Sequence, residues 1–364
     1  MLDTVSLRYN VTLLSPARMS ERGFSTTSRH TLTDFPYLTW KLNIPRDKGT
    51  LPRLTWSSTP SGDWLTAEVS LPKFLYGNNV RLVSDVDAQR GLSDISRFVS
   101  ETAGVPFDAP LALVGRVDYC WAFLIGESNI VPYIAATAHA TASRMLRHQV
   151  GSTTVSFGNK SRRIMVYGKH EEVLSRARVG TVADADLHAS LGQLRLEVSH
   201  RNDGCRRLAK RYKLPARQAR YLLTSDIALN ELDLALEVLG LNKITESKDA
   251  RIDVLRERYG DTTHCRCLIA FLSYLDRYGE DFWKHGIGYK RSTYYGYASE
   301  LKTAGVWLRA DKVLPSLHLV STAPAYRAAT GQSSIIQPMS NTIRASPFPP
   351  DNPLQHLSLI SGRI

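Results

Sequence analysis

Several classes of protein are excluded by what this sequence lacks. Its 364 residues hold only four cysteines, Cys120, Cys205, Cys265 and Cys267, at no regular spacing. That usage fits a reducing cytoplasm better than a disulfide framework. His264-Cys265-Arg266-Cys267 has no second ligand pair at the spacing that a tetrahedral zinc site needs. No stretch approaches the roughly 18 apolar residues of a membrane span, and no basic segment followed by an apolar run opens the chain, so a soluble protein is expected. Gly158-Asn159-Lys160-Ser161 ends like a phosphate-binding loop, but the earlier glycine is misplaced and a strand pattern follows, so no ATP site is supported. There is no internal repeat. No arginine and histidine constellation leads to a tyrosine near the C-terminus, which argues against a tyrosine recombinase.

Acidic residues are also in deficit. Thirty-four Asp and Glu face 46 Lys and Arg, a formal net charge of +12, and the basic residues are spread along the chain. Such a molecule attracts polyanions, with nucleic acid the leading partner, although charge alone names no reaction. At 43% hydrophobic residues the chain can bury a sizeable core, and a prior of roughly 100–200 residues per domain suggests two domains.

The first two hundred residues read mainly as strands: Val5–Asn10, Trp64–Leu71, Leu111–Phe123, Thr153–Phe157, Arg163–Tyr167 and Leu194–His200. Two helical patterns interrupt them, Leu92–Thr102 and the Ala-rich Tyr133–Arg147, the latter with a proline at its start. The pattern predicts an α+β fold, a partly antiparallel sheet domain with flanking helices over 1–203, which the resemblance described below would make a nuclease domain. From Cys205 apolar residues recur at helical spacing in Arg206–Tyr212, Ala216–Thr224, Ile227–Leu239, Ala250–Tyr259 and Leu268–Tyr278, so a mainly helical DNA-binding or accessory domain is expected over 204–320. Residues 321–364, rich in Ser, Pro, Asn and Gln, are expected to be a disordered tail.

Three segments carry chemistry. In Arg116-Val117-Asp118 and Arg195-Leu196-Glu197 a carboxylate sits within an apolar strand, where an unpaired charge is expensive. The ordinary reading is that Arg116 and Arg195 neutralise these acids, or that the acids face solvent. The third is Tyr167-Gly168-Lys169-His170-Glu171-Glu172. A strand tyrosine usually packs, but a phenol of pKa about 10 becomes a nucleophile when positive charge or a base stands near it. Lys169 and His170 supply both, and alternation puts Tyr167 and Lys169 on one face if the strand continues that far.

Together and in this order, these segments resemble the gene II/X replication endonucleases of filamentous bacteriophages. The resemblance takes in Leu2-Asp3-Thr4-Val5-Ser6-Leu7-Arg8 and Ala67-Glu68-Val69-Ser70-Leu71-Pro72-Lys73-Phe74-Leu75-Tyr76-Gly77-Asn78-Asn79. Asn78 stands where the family has a histidine. A weaker match runs through Tyr289-Lys290-Arg291-Ser292-Thr293-Tyr294-Tyr295-Gly296-Tyr297 into a helix ending at Gly305, whose tyrosines are available for stacking on unpaired bases. Plasmid rolling-circle initiators are also similar, but place their tyrosine after the second charged strand, making Tyr212 and Tyr221 the alternatives.

The resemblance implies a replication initiator of a bacterial host's cytoplasm. It would nick one strand of double-stranded phage replicative-form DNA at the origin through a 5′-phosphotyrosine on Tyr167, then rejoin the displaced single strand into a circle. Lys169 and His170 would assist. Mg²⁺ or Mn²⁺ would be held by Asp118, Glu197 and, more weakly, Glu68. Lys73, Asn78, Arg116, Arg195, Lys290, Arg291 and Tyr294 are candidate DNA contacts, and host helicase and polymerase are expected partners. The competing readings are a plasmid initiator, relaxase or transposase with the same chemistry, and a non-enzymatic DNA-binding regulator that uses 206–224 and 291–305.

Overall fold

The computed structural model describes residues 1–12, 14–30, 37–42, 50–140, 142–177, 182–242, 248–278, 289–306, 314 and 316–319. The tail expected over 321–364 lies outside them. The six expected strands are present as β1 (Leu2–Asn10), β5 (Gly62–Ser70), β6 (Leu113–Leu124), β8 (Thr154–Gly158), β9 (Arg162–Gly168) and β10 (Gln193–Arg201). Four more, β2 (Phe24–His30), β3 (Tyr37–Leu42), β4 (Arg53–Thr59) and β7 (Leu146–Val150), complete a ten-stranded sheet in the order β2-β3-β4-β5-β1-β6-β10-β9-β8-β7. Each of these pairings is antiparallel.

Alternation gives the middle of the sheet two unlike faces. One carries Val5, Leu7, Val117, Tyr119, Trp121, Leu196 and Val198, all buried. The other carries Thr4, Ser6, Glu68, Ser70, Arg116, Asp118, Arg195, Glu197 and Ser199, brought side by side by the registers Ser6↔Arg116, Ser6↔Glu68 and Ser199↔Asp118. The apolar face is closed by α7 (Asn202–Arg211), α8 (Ala219–Leu222) and α9 (Ser225–Leu239), which pack on β6 or β10. There the Tyr119 hydroxyl donates to the Leu222 carbonyl at 2.9 Å. The helical texture that begins near Cys205 therefore starts with helices that serve the sheet.

Further helices are α1 (Pro16–Glu21), α2 (Leu71–Tyr76), α3 (Asp85–Ala103), α4 (Glu127–Ala138), α5 (Lys169–Ala177) and α6 (Asp184–Ser190). The expected helix Tyr133–Arg147 is corrected to α4: Pro132 lies inside it, it ends at Ala138, and Arg144 turns the chain with φ +61° before β7. The expected Ala216–Thr224 helix shrinks to the single turn of α8. The outer helices α10 (Lys248–Tyr259), α11 (Thr263–Tyr278) and α12 (Arg291–Thr303) pack in succession, with Arg251 fully buried and 2.6 Å from Asp276. The expected Gly305 stop is present: φ is +78°, and Val306 N donates to the Leu301 carbonyl at 3.0 Å, closing the helix end. Among the described residues no helix is long and apolar enough to cross a membrane.

A buried ionic cluster fastens α7 and α9 to the sheet. Glu231 of α9, fully buried, lies 3.1 Å from His200 Nε2 of β10 and 3.6 Å from Arg162 of β9. It also accepts from Arg211 and, at 3.0 Å, from the Tyr212 hydroxyl. Burial alone would raise its carboxyl, but His200 and the arginines outweigh burial and hold it at about 2. A carboxyl depressed from 4.5 contributes stability that is present above that value and is lost as pH falls towards 2. Glu231→Gln leaves Arg162 without its counter-ion and is expected to cost about 3 kcal/mol in urea unfolding at neutral pH. It should also flatten the acid limb of the stability profile; an unchanged midpoint and limb would remove the cluster from the stabilising interactions.

Candidate active site

The polar face holds its charges at the junction of β6, β10 and β9, beneath α5 and the segment 77–83 that follows α2. Tyr167 lies opposite Arg195 in the β9 and β10 register, and its side chain points to the same face. Its hydroxyl donates to Glu197 Oε1 at 2.6 Å. Arg195 Nε stands 3.9 Å from that same oxygen. The Arg195 guanidinium is fully buried and donates to the Val80 carbonyl at 3.3 Å and to Cys120 Sγ at 3.1 Å. The ordinary reading of Arg195-Leu196-Glu197 as a self-neutralising pair thus describes the geometry, with Tyr167 as a third member.

Electrostatics follows from this burial. Tyr167 is 5% exposed. Burial, then the neighbouring Glu197 charge, pushes its phenol well above the ordinary 10. Glu197 is pushed up as well, by burial and then by the charge of Asp3, which is itself buried and accepts from the Ser70 hydroxyl at 2.8 Å. Both groups hold the proton between them more tightly than water would.

Lys169 does not extend the strand as alternation allows. β9 ends at Gly168 and Lys169 opens α5, so the strand-based reason for placing it beside Tyr167 fails while the neighbourhood survives: its Nζ is 5.8 Å from the Tyr167 ring centroid. Gly168 is needed at this junction, because a Cβ there would stand 2.2 Å from Glu171 Oε2 and 2.9 Å from Ile130 Cγ2. Lys169 is fully buried and donates to Glu172 Oε2 at 2.5 Å. Arg176 continues the chain, 2.8 Å from Glu172 Oε1 and 2.6 Å from Asn79 Oδ1. Burial, then the Arg195 charge, lowers the Lys169 ammonium from 10.5 to about 8.

Arg116 grips Asp118 with two hydrogen bonds of 3.0 and 2.6 Å and reaches towards Glu68 at 3.6 Å. Asp118 and Glu197 lie on one face, a diagonal step apart, since Asp118 is opposite Ser199 and Glu197 is opposite Cys120. The expected trio of metal ligands is not gathered: among the described residues no three His, Cys, Asp or Glu side chains form a group that could hold an ion. Asp118 and Glu68 share Arg116, and Glu197 is paired with Arg195 and the Tyr167 hydroxyl. The donors still suit Mg²⁺ or Mn²⁺, which commonly take only one or two carboxylates and complete their shell from substrate and water.

Of the other expected residues, His170 Nδ1 pairs with Ser190 of α6 at 3.0 Å, and Asn78 caps its own turn by accepting from Val80 N at 3.1 Å. Lys73 is half-buried on α2, while Lys290 and Arg291 are exposed at the start of α12. Two expected DNA contacts are corrected: Arg195 is wholly buried in the charge network around Glu197, and Tyr294 is 4% exposed and packs against Phe271, so neither lies on the surface. Of the alternative tyrosines, Tyr212 is held by Glu231, with burial pushing it up to about 12, and Tyr221 lies under the Arg220 guanidinium, 4.7 Å away. A cavity of about 800 Å³ adjoins the cluster, lined in part by Tyr76, Asn78, Val80, Arg176 and Asp186. Asp3, Glu172, Arg176 and Asn79 are not singled out by the sequence. The signal for Glu172 is its spacing of three from Lys169, readable only once α5 is known to be a helix.

The low ammonium pKa has a measurable consequence. A lysine whose folded pKa is depressed penalises the fold at low pH, and the penalty is relieved as pH rises from about 8 to 10.5. In lysine-labelled protein, one side-chain resonance is expected to titrate near pH 8 and to vanish in Lys169→Arg; titration of every lysine near its ordinary value would contradict this environment.

Residues 57–214, which span β5 to α7 and so contain Tyr167, Glu197 and Asp118, match the N-terminal part of a family of phage replication-associated proteins. Among solved structures, the rolling circle replication initiator protein from Geobacillus stearothermophilus is similar at 10% identity over 58% of this chain and 77% of that one, with a TM-score of 0.25. Comparison with curated proteins finds no match.

Proposed function

We propose that this chain, whose residues 57–214 match the N-terminal part of a phage replication-associated family, is a rolling-circle replication initiator that nicks and rejoins origin DNA through Tyr167. The observation that carries this reading is the 2.6 Å hydrogen bond from the Tyr167 hydroxyl to Glu197, with Arg195 and Lys169 beside it. The phenol oxygen attacks the scissile phosphorus as its proton passes to Glu197 Oε1. The bond from phosphorus to the 3′ oxygen breaks, which leaves a 5′-phosphotyrosine and a free 3′-hydroxyl that takes up a proton. That hydroxyl primes the host polymerase while a host helicase opens the duplex. After one circuit a 3′-hydroxyl attacks the phosphotyrosine, the bond from phosphorus to the phenol oxygen breaks, Tyr167 leaves and takes back a proton from Glu197 as the attacking hydroxyl gives its own up to solvent, and the displaced strand is closed into a circle. One phosphodiester is exchanged for another, so no ATP site is needed.

Glu197 suits the role of base because burial raises its affinity for the proton it must accept. Arg195 and the charged form of Lys169 stabilise the departing phenolate. Rolling-circle initiators typically use a divalent metal; here Asp118 and Glu197 are the carboxylates that would hold Mg²⁺ or Mn²⁺, which neutralises charge developing on the phosphate. At 5% exposure Tyr167 is sheltered in the DNA-free protein.

The deciding experiment mixes the protein with supercoiled DNA carrying the element's origin and Mg²⁺, and reads nicked circles and a covalent 5′ adduct. Tyr167→Phe is expected to abolish both while Tyr212→Phe and Tyr221→Phe keep them; adduct formation by Tyr167→Phe would move the nucleophile elsewhere. Glu197→Gln should slow nicking about 10²–10⁴-fold, the range for loss of a general base. Asp118→Ala and EDTA should each remove nicking but leave DNA binding. Absence of adduct with any origin tested would favour the non-enzymatic regulator. Above pH 8 nicking should decline as Lys169 loses its proton, and in Lys169→Arg that decline should disappear.

A further inference from the structure

The two edges of the sheet are built differently. At one, β2 pairs with β3 through a register shift between Thr26 and Ser28, an irregularity of the kind that blunts an edge against further pairing. At the other, β7 pairs with β8 in unbroken register along Leu146-Arg147-His148-Gln149-Val150, which holds neither proline nor lysine. The whole strand is exposed, Leu146 to 84% and Val150 to 56%, and among the described residues no strand lies beyond it.

The alternation of hydrogen bonds decides which backbone groups β7 presents. Gly168 N donates to the Thr153 carbonyl and Asn159 N to the Arg162 carbonyl, both at 2.9 Å, so the odd-numbered residues of β8 turn their backbone to β9. The even-numbered Thr154, Ser156 and Gly158 therefore serve β7, where they meet Val150, His148 and Leu146. In keeping with this, the Ser156 hydroxyl donates to the His148 carbonyl at 3.4 Å. Arg147 and Gln149 are left with N–H and C=O directed outward.

These two residues flank His148, and the strand is complementary to itself about that point. Laid antiparallel on a second copy with the dyad at His148, Arg147 falls opposite the partner's Gln149 and exchanges both backbone hydrogen bonds with it, and the dyad repeats the exchange. His148 meets its own copy at the non-hydrogen-bonded position, where Cα atoms approach to about 4.5 Å. On that face Leu146 falls opposite the partner's Val150, so the exposed apolar side chains cover one another. On the other face a charged residue meets an uncharged one, and the Arg147 guanidinium is turned back to donate to the Ala138 carbonyl at the end of α4.

We propose that β7 is a homodimer edge that joins two copies of this chain into one continuous sheet. Tyr167, Thr154 and Val150 form one row across β9, β8 and β7, and the dyad keeps both rows on the same side. Five strand spacings, roughly 24 Å at about 4.8 Å each, then separate the two phenols across the strands. Pairing along one short strand buries far less than the roughly 1,200 Å² of a stable interface, so the association is weak and concentration-dependent. It does not rest on the chemistry proposed for Tyr167.

The test is sedimentation of the full chain, without DNA, from about 1 μM to about 100 μM, concentrations at which weak association is measurable. Wild type is expected to pass from monomer to dimer and no further. His148→Glu and His148→Lys each set like charges directly opposite at the dyad and should weaken association more than about tenfold, while an equimolar mixture of the two regains the dimer. Gln149→Pro should be monomeric as well, because it removes an outward N–H and leaves the β7 and β8 hydrogen bonds in place. Tyr167→Phe should associate like wild type, which keeps this inference separate from the nicking reaction. Wild type that stays monomeric throughout, or a dimer that persists in His148→Glu, His148→Lys and Gln149→Pro, would overturn the proposal. Loss of affinity for duplex DNA in His148→Glu with association unchanged would do so too, and would assign the edge to nucleic acid.

Discussion

The buried guanidinium of Arg195 is the constraint from which the polar half of this molecule follows. A cation with no access to water is tolerated only when its donors are spent and its charge is matched. Arg195 spends donors on the Val80 carbonyl and on Cys120, while its Nε, without a hydrogen bond, is met only by the Glu197 charge 3.9 Å away, with Asp3 also near. Each demand fixes a different part of the chain. Val80 brings the segment after α2 down over the sheet, Asp3 fixes the start of β1, and Cys120 ties β6 to β10. Tyr167 enters because one oxygen of Glu197 is left for its hydroxyl. The catalytic proposal thus uses a phenol whose position is set by the neutralisation of an arginine.

The two-faced sheet separates cohesion from chemistry. On the apolar face α7, α8 and α9 supply packing and the Glu231 cluster supplies the polar fastening, with Tyr212 held there as a hydrogen-bond donor. On the opposite face the same strands present acids and arginines that would be intolerable in an apolar core. A shift of one residue in the register of β6 against β10 would exchange the two sets, so both faces hold the register in place.

What is legible in the sequence follows the same division. Strands with one apolar and one polar face, such as β1 and β6, announce themselves by alternation. β7, Leu146-Arg147-His148-Gln149-Val150, is exposed along its whole length at the sheet edge and carries no such signal. The polar β2 is hidden for want of apolar alternation. The pairing of Arg116 with Asp118 is readable because two residues separate same-face positions on a strand. Arg195 with Val80, Tyr167 with Glu197 and His200 with Glu231 join elements distant along the chain, and no local pattern encodes them. The start of α5 escapes a strand-based reading because the strand passes into the helix with no intervening residue, from Gly168 to Lys169. The turn between them is marked only by Gly168, whose need is steric and set by Ile130 and Glu171.

The balance of charge on the polar face bears directly on how a phosphodiester can be accepted there. Arg116, Lys169, Arg176 and Arg195 face Asp3, Glu68, Asp118, Glu172 and Glu197, with the Met1 ammonium close to Arg195 and Asp3, so cations and acids are already near balance before any DNA arrives. A phosphate adds a further negative charge, and a phenolate would add another, which the low dielectric of a buried site penalises heavily. Two routes relieve this. In the proposed mechanism one would be protonation of Glu197, which its raised pKa favours and which transfer from Tyr167 would accomplish. The other would be a divalent cation, which Asp118 and Glu197 are the carboxylates to hold. The first neutralises the base and the second the substrate, so they are complementary. Loss of the Lys169 proton near pH 8 removes the cation that lies 5.8 Å from the Tyr167 ring, and for that reason its titration would set the alkaline limit of the proposed reaction.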